Sequence, residues 1–193
     1  MARIVRLDDY VLRGLERPRG RADDSQLAIT FPQARIVPLG RAPAPPAIEL
    51  YGLDDPAQAL ARAAAAGAEA DDLVDVGVGA VDRGHADVGI EAFAAALARE
   101  PDHAVAHYDL ANVYLARDMP APARVHLAIA VSIEPRFADA HYNLALACAV
   151  EGRWMEALRA IDAYRGLVGE PDVVAEELAT QLRAAVAEAP APG

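Results

Sequence analysis

Lysine is absent from the 193 residues, cysteine occurs once, and aromatic residues make up only 5% of the chain. The single thiol, Cys148, excludes an internal disulfide framework and is typical of a reducing compartment. No run of about 18 apolar residues is present, so the sequence predicts no membrane-spanning helix. Charged residues between Arg3 and Arg13 interrupt what would be the apolar core of a signal peptide. These absences predict a cytoplasmic protein.

The composition and charge of the chain favour helices and argue against nucleic acid as a partner. Hydrophobic residues make up 54% of the sequence and are mostly Ala, Leu and Val, which predicts closely packed helices rather than a β-sandwich. Residues 1–41 carry eight Arg against five acidic residues, a net charge of +3, whereas residues 42–193 carry ten Arg against 24 acidic residues, a net charge of −14. Because so acidic a body repels phosphate, we expect neither nucleic acid nor an anionic membrane to bind it. The basic arm is expected to be attracted to this body, or to a second copy of it.

A 34-residue internal repeat organises about half of the sequence, from residue 70 to residue 171. The segment His107–Ala111 recurs as His141–Ala145, and the Glu-Pro pair that ends at Pro101 recurs at Pro135. Small residues and large apolar residues follow the same step, as Gly89, Ala123 and Ala157, and as Phe93, Leu127 and Ile161. Four kinds of residue thus share one period, which predicts tandem copies of a single structural unit.

Each unit contains two helix patterns with a break between them. In the middle unit, apolar residues at helical spacing run from Val105 to Leu115 and again from Val125 to Val131. Two prolines in the break are tolerated only at the start of the second helix, because the backbone N–H groups of a first helical turn make no hydrogen bond within the helix. The break residues are Pro120 and Pro122, with Gly84 and Gly152 at the matching turns of the flanking units.

This pattern resembles the tetratricopeptide repeat (TPR), in three copies over residues 70–171. The family pairs a Leu-Gly-x-x-Tyr element on the first helix with an Ala-x-x-x-Phe element and a closing Pro on the second. The resemblance implies an all-α fold, a right-handed TPR-type solenoid of helical hairpins with an irregular N-terminal arm. The first element corresponds to Val76-Gly77…Ala80, Leu110-Ala111…Tyr114 and Leu144-Ala145…Cys148, and the second to Gly89…Phe93, Ala123…Leu127 and Ala157…Ile161.

The segments that flank the repeats are expected to cap them. A helix is predicted to begin after Asp55 and to end at Gly67, and a second one to follow Asp172, a residue suited to an N-cap. In the third copy, Tyr164 replaces a small residue and the closing proline is displaced to Pro171, so we expect this copy to pack against the final helix. The predicted organisation is a basic, Pro-rich arm and linker at 1–46, a capping segment at 47–69, the repeats at 70–171, a capping helix at 172–189 and a tail at 190–193.

In the TPR family the first helix of each repeat lines a concave face, so the resemblance implies a groove along these helices. Its apolar residues suit an extended or helical peptide, while Asn112 and the tyrosine hydroxyls would orient that peptide. Asp82 and Asp139 would form a polar rim. Some of these residues are alternatively ordinary core between helices. The predicted groove residues are Val74, Val78, Val81, Val105, Tyr108, Asn112, Leu115, Asp139, Tyr142 and Leu146.

Some family members hold the terminal carboxylate of a peptide with Lys, Asn and Arg. Of the matching positions in this sequence only one, Asn143, fits, and none carries a positive charge. The resemblance therefore disfavours a carboxylate-terminated ligand and favours a neutral or basic apolar segment. The positions are Val74, Val78, Asp109, Asp139 and Asn143.

That ligand description also fits the N-terminal arm. An apolar stretch with one arginine would lie in the groove of its own chain or in that of a neighbour, which would make a homo-oligomer. A separate docking motif and a disordered linker are the other interpretations. The predicted docking residues are Leu27, Ile29, Phe31, Arg35, Ile36 and Val37.

No catalytic, metal or cofactor site is predicted. His103 and His107 lie four residues apart, but Asp102 and Asp109 are the only further ligands nearby, and the spacing is common by chance. Cys148 falls at an interior position and is expected to be a buried apolar residue rather than a nucleophile. No phosphate loop, dinucleotide fingerprint or Ser-centred elbow occurs.

The sequence therefore predicts a non-enzymatic protein–protein interaction module, an adaptor or scaffold. It would bind a peptide segment, or its own or a neighbour's arm, in an apolar, acid-rimmed groove. Two alternatives stay open. Three repeats, acidity and small size resemble the translocator chaperones of type III secretion systems, which implies a chaperone for an apolar segment of an exported protein. The second alternative is a structural subunit of a larger assembly, in which the arm threads into neighbouring subunits.

Overall fold

The computed structural model describes residues 55–188, and this part of the chain forms eight α-helices. The predicted arm and linker, the beginning of the first capping segment and the tail lie outside the described residues, as do the six predicted docking residues of the arm. The helices are α1 (Pro56–Ala65), α2 (Ala70–Asp82), α3 (Ala86–Arg99), α4 (Ala104–Ala116), α5 (Pro120–Ile133), α6 (Ala138–Val150), α7 (Trp154–Leu167) and α8 (Val173–Glu188).

Three hairpins, α2–α3, α4–α5 and α6–α7, are closed by the same turn at 34-residue intervals. In each turn a backbone N–H donates to a carbonyl five residues earlier at 2.9 Å. The residue before that N–H adopts a left-handed conformation, which glycine tolerates best. The bonds join His85 to Ala80, Met119 to Tyr114 and Arg153 to Cys148, and the left-handed residues are Gly84 (φ 85°), Asp118 (φ 56°) and Gly152 (φ 72°).

The prolines lie where the sequence predicts. Helix α5 begins at Pro120, whose missing N–H belongs to the first turn. Helices α3 and α5 end at Arg99 and Ile133, so that Pro101 and Pro135 follow successive hairpins. The proline at each boundary breaks the second helix and lets the chain enter the next hairpin.

Capping helices of 10 and 16 residues, α1 and α8, cover the two ends of the array. Helix α1 packs on the first hairpin through fully buried Ala59 and Ala63. At the other end, the Asp172 carboxylate accepts hydrogen bonds from the backbone N–H groups of Val174 and Ala175 at 2.9 and 3.3 Å, as expected of an N-cap. Leu178 and the apolar residues one turn along from it bury α8 against α7. The exposed edges of the hairpins are thereby covered.

The first helices of the hairpins form one layer, defined here as the inner face: α2 contacts α4, and α4 contacts α6. The second helices lie outside them, each packed on its own first helix. Any ligand held along the array therefore meets α2, α4 and α6 in turn. Between residues 55 and 188, no helix combines the length and the apolarity needed to cross a bilayer.

Candidate functional site

The inner face is negatively charged because its three helices contain six aspartates and no arginine. Four of these aspartates lie on α2, and α4 and α6 contribute one each. Every arginine of the described residues lies on another helix or in a turn. The aspartates are Asp71, Asp72, Asp75, Asp82, Asp109 and Asp139.

The structure separates the ten predicted groove residues by burial. Four of them belong to the core: Tyr108 is 0% exposed, and Val74, Tyr142 and Leu146 are at most 5% exposed. Val78 on α2 is the most accessible of the ten, with 38% exposed. The remaining five, which are half-buried, are Val81, Val105, Asn112, Leu115 and Asp139.

Tyr108 lies in the core between the second and third hairpins, which corrects the expectation that it is displayed in a groove. Its ring packs against Phe137, with centroids 4.7 Å apart, and its hydroxyl accepts a hydrogen bond from the Asn143 amide at 3.3 Å. Burial raises the pKa of the Tyr108 hydroxyl well above its usual range. The ring joins neighbouring repeats, because Phe137 precedes α6 whereas Tyr108 belongs to α4.

Tyr142 has a corresponding position one repeat further along. Its ring packs against that of Tyr164, with centroids 5.2 Å apart. The Tyr164 hydroxyl donates to Asp172, the N-cap of α8, at 2.8 Å. The bulky residue at a normally small site thus ties the third hairpin to the capping helix, as the sequence predicts, and buries Tyr142 in doing so.

A polar cluster that the sequence analysis did not assemble lies in the seam between α4 and α6. Asn143 is 1% exposed, and its side-chain amide donates to the Asn112 oxygen at 2.8 Å as well as to Tyr108. Its own oxygen, Oδ1, is buried and has no hydrogen-bond partner. The 34-residue period could not have predicted this pair, because Asn112 and Asn143 are 31 residues apart and occupy different positions of the repeat.

The acidic rim is only partly accessible. Asp139, at the start of α6, is half-buried, and this burial raises the pKa of its carboxyl above the usual value. Asp82, at the end of α2, is exposed. Of the two predicted rim carboxylates, Asp139 is therefore half-buried and Asp82 is exposed.

The histidines make structural contacts. Nε2 of His107 donates to the Pro101 carbonyl at 3.0 Å, and Nε2 of His141 repeats the contact on Pro135. Their rings thus fix the loop that precedes each hairpin. Nδ1 of His103 accepts from a backbone N–H of α4, which leaves Nε2 to donate to Asp71 at 3.0 Å. Among residues 55–188, no three His, Cys, Asp or Glu side chains are grouped so as to hold a metal ion.

Cys148 lies inside the third hairpin. Its side chain is 1% exposed, and burial raises the pKa of the thiol to about 11. A thiol with so high a pKa is almost entirely protonated at neutral pH and is a poor nucleophile. Its position agrees with the expectation of an apolar packing residue.

Comparison with known proteins identifies the fold. A scan against protein-family models and a search of curated proteins returned no match. Among solved structures, the first TPR domain of Spaghetti (RPAP3) bound to the HSP90 peptide SRMEEVD is similar with a TM-score of 0.57 and 18% identity, over 62% of this chain and 94% of that one. The Sgt2 TPR domain from Aspergillus fumigatus (TM-score 0.55, 20% identity, 64% and 87% covered) and MamA (TM-score 0.55, 19% identity, 68% and 85% covered) are similar too. The described residues therefore adopt the tetratricopeptide-repeat fold.

Proposed function

We propose that this protein is an interaction module whose inner face binds an apolar, arginine-bearing segment of another polypeptide. The observation that carries the proposal is the charge of that face, with six aspartates and no arginine on α2, α4 and α6. In the Spaghetti structure a similar fold holds an acidic peptide. Opposite charges across an interface select the partner and speed its association.

An acidic peptide is a poor ligand for this chain. The five positions that match the carboxylate-holding residues of some TPR proteins contain two aspartates, two valines and an asparagine. Two of these side chains, Val74 and Asn143, are buried, and Asp139 is a half-buried carboxylate. A peptide that ends in carboxylates would meet like charge with no cation to neutralise it, whereas an arginine would be attracted.

Apolar contact area is supplied by the accessible and half-buried aliphatic side chains of the same helices. Val78 is the most open of these, and Val81, Val105 and Leu115 lie further along the array. Burying such side chains against a ligand supplies most of the affinity, while the aspartates supply selectivity. Binding is therefore expected to weaken with added salt without being abolished.

The test uses fluorescence anisotropy with three labelled peptides. Two are amidated apolar 11-residue peptides that differ only in one position, Arg or Glu, and the third is SRMEEVD, the sequence present in the Spaghetti complex. We expect the Arg peptide to bind at least about tenfold more tightly than either acidic peptide, a difference of roughly 1.4 kcal/mol. Equal binding of the Arg and Glu peptides would refute the charge selectivity.

The location is tested with a matched pair of variants. Val78→Arg places a cation on the inner face at a 38% exposed site, and Val125→Arg places one on α5 at a 46% exposed site. Only the first is expected to weaken binding of the Arg peptide. Replacing Tyr108 and Tyr142 by alanine is unsuitable, because both rings are core and each truncation costs about 3–5 kcal/mol of folding free energy.

A further inference from the structure

The seam between the inner helices α4 and α6 holds one buried hydrogen-bond acceptor without a partner, Oδ1 of Asn143. Its amide nitrogen contacts Tyr108 and Asn112 on α4, so the side chain lies in the seam between two inner helices. The oxygen at the other end is buried without a partner. Because this oxygen is enclosed in the seam, a ligand on the inner face would contact the side chains that surround it, among them half-buried Asn112, and not the oxygen itself.

The sequence of this chain contains a segment whose chemistry complements the inner face. Residues 27–37, Leu-Ala-Ile-Thr-Phe-Pro-Gln-Ala-Arg-Ile-Val, contain eight apolar residues, the neutral polar residues Thr30 and Gln33, one arginine and no acidic residue. They belong to the part of the chain with a net charge of +3, whereas the inner helices contain six aspartates. The Arg35 guanidinium would be attracted to the inner aspartates.

The connection between this segment and the array is long enough for binding within one molecule. Seventeen residues lie between Val37 and Asp55, the residue that caps α1. At about 3.1 Å per residue, the rise of an extended polyproline chain, a stretch of this length can reach about 55 Å. Adjacent packed helices are about 8–10 Å apart, so the distance from α2 to α6 is about 20 Å.

We propose that residues 27–37 bind the inner face of their own chain, with Arg35 against the inner aspartates, and that a partner must displace them. This proposal rests on the proposed function, because it assigns a resident ligand to the same face. Because the segment belongs to the same chain, it competes with a partner as an intramolecular ligand. A partner segment therefore has to bind more tightly than residues 27–37 to occupy the inner face.

The experiment is cross-linking of the full-length protein with a short bis-maleimide. One cysteine replaces Gln33, which lies between the docking residues and leaves all six intact, and the second replaces Val78 on the inner face. The matched control pairs Gln33→Cys with Val125→Cys on the outer helix α5. Cys148 is retained because it is buried, and each single-cysteine variant provides the blank.

We expect at least about fivefold more intramolecular product from the 33–78 pair than from the 33–125 pair. Adding Arg35→Glu is expected to reduce that product, whereas Arg41→Glu, outside the segment, leaves it unchanged. Equal yields from the two pairs, or no product from the first, overturn the proposal. Cross-linked dimers without intramolecular product also overturn it, and show instead that the face binds a second copy.

A second measurement separates this proposal from the proposed function. If the segment occupies the inner face, Arg35→Glu weakens the competitor, so the labelled Arg peptide is expected to bind severalfold more tightly to that variant than to the unmodified chain. If peptide binding depends on Val78 but is unchanged by Arg35→Glu, the interaction module stands and the resident segment is refuted. If no Arg peptide binds either protein, the proposed function fails independently of the cross-linking result.

Discussion

Replacing Gly77 by alanine is the sharpest test of how the first hairpin is packed. Gly77 lies in the middle of α2, where a Cβ atom would be 2.5 Å from Cε1 of Phe93 and 2.8 Å from Cδ1. Carbon atoms approach no closer than about 3.5 Å without repulsion. Phe93 is 1% exposed, so its ring has no open space into which to move.

Two opposing effects set the size of the change. Alanine is favoured over glycine in a helix interior by about 1 kcal/mol. Overpacking a tight core costs about 1–3 kcal/mol, and the buried position of Phe93 favours the upper half of that range. The expected net result for Gly77→Ala is a loss of about 1–2 kcal/mol from the free energy of unfolding.

Gly166 provides the matched control. It lies in α7, and a Cβ atom built there has no neighbour within 4 Å. Gly166→Ala therefore keeps the helix-propensity gain without the clash, and we expect about 0.5 kcal/mol of stabilisation near this helix end. The same chemical change thus has opposite signs at two helical sites.

Urea denaturation followed by circular dichroism at 222 nm measures both variants. With a slope of about 2 kcal/mol per molar urea, the Gly77→Ala midpoint falls by about 0.5–1 M and the Gly166→Ala midpoint rises by about 0.2 M. A Gly77→Ala protein as stable as the Gly166→Ala protein would refute the close approach of α2 and α3 at this glycine. Gly89→Ala, measured in the same way, tests the close approach from the α3 side, because its Cβ would clash with Cγ2 of Val81 on α2.

Three further predictions concern single side chains. Asp118 adopts φ 56° at a turn where the other hairpins have glycine, so Asp118→Gly is expected to raise the free energy of unfolding by about 0.5–1 kcal/mol in the same urea assay. Burial raises the pKa of Asp139, so the contribution of this carboxyl to stability is full below the unfolded pKa and is lost as the pH rises through the folded pKa. In thermal melts, Asp139→Asn should therefore be more stable than the unmodified chain at pH 7, and the difference should vanish below about pH 4. Burial and the neighbouring His107 lower the pKa of His126, so the contribution of this ring to stability is present above about pH 6.5 and is lost as the pH falls through the folded pKa. His126→Ala should therefore flatten the decline in melting temperature between about pH 7 and pH 5. An unchanged decline would contradict the lowered pKa of His126.

Helix positions and turns were predictable because they depend on local chemistry that recurs with the repeat. Pro120 can only begin a helix, Asp172 supplies an N-cap oxygen, and Gly84 permits a left-handed turn, whatever the rest of the chain does. The 34-residue period then places equivalent residues in equivalent surroundings. The pairing of small with large residues was predictable for the same reason, since Gly77 and Phe93 have to meet if the two helices are to approach closely.

Burial at the inner face was not predictable from the period, because it depends on residues that do not repeat. Tyr108 is enclosed by Phe137, whose counterpart one repeat earlier is His103, a residue that caps α4 instead. Tyr142 is covered through Tyr164, at a site where the other copies have alanine. Each ring is thus buried by a residue of the next repeat or of its own second helix, and sequence spacing on the first helix alone cannot reveal that neighbour.

The arginines explain how an acidic inner face coexists with a stable array. They join successive elements from outside: Arg99 donates to the Ala68 carbonyl, Arg124 pairs with Glu151, and Arg165 makes two hydrogen bonds of 2.7 Å to Glu176 on α8. Each of these arginines lies on a second helix, α3, α5 or α7. These three arginines therefore join successive elements, and no arginine belongs to α2, α4 or α6, although Arg83 at the end of α2 donates to the Gly79 carbonyl. In the proposed function, an arginine of another polypeptide, or of the chain's own N-terminal segment, would approach three helices that contain six aspartates and no arginine, so the placement of arginines that stabilises the array also leaves its inner helices acidic.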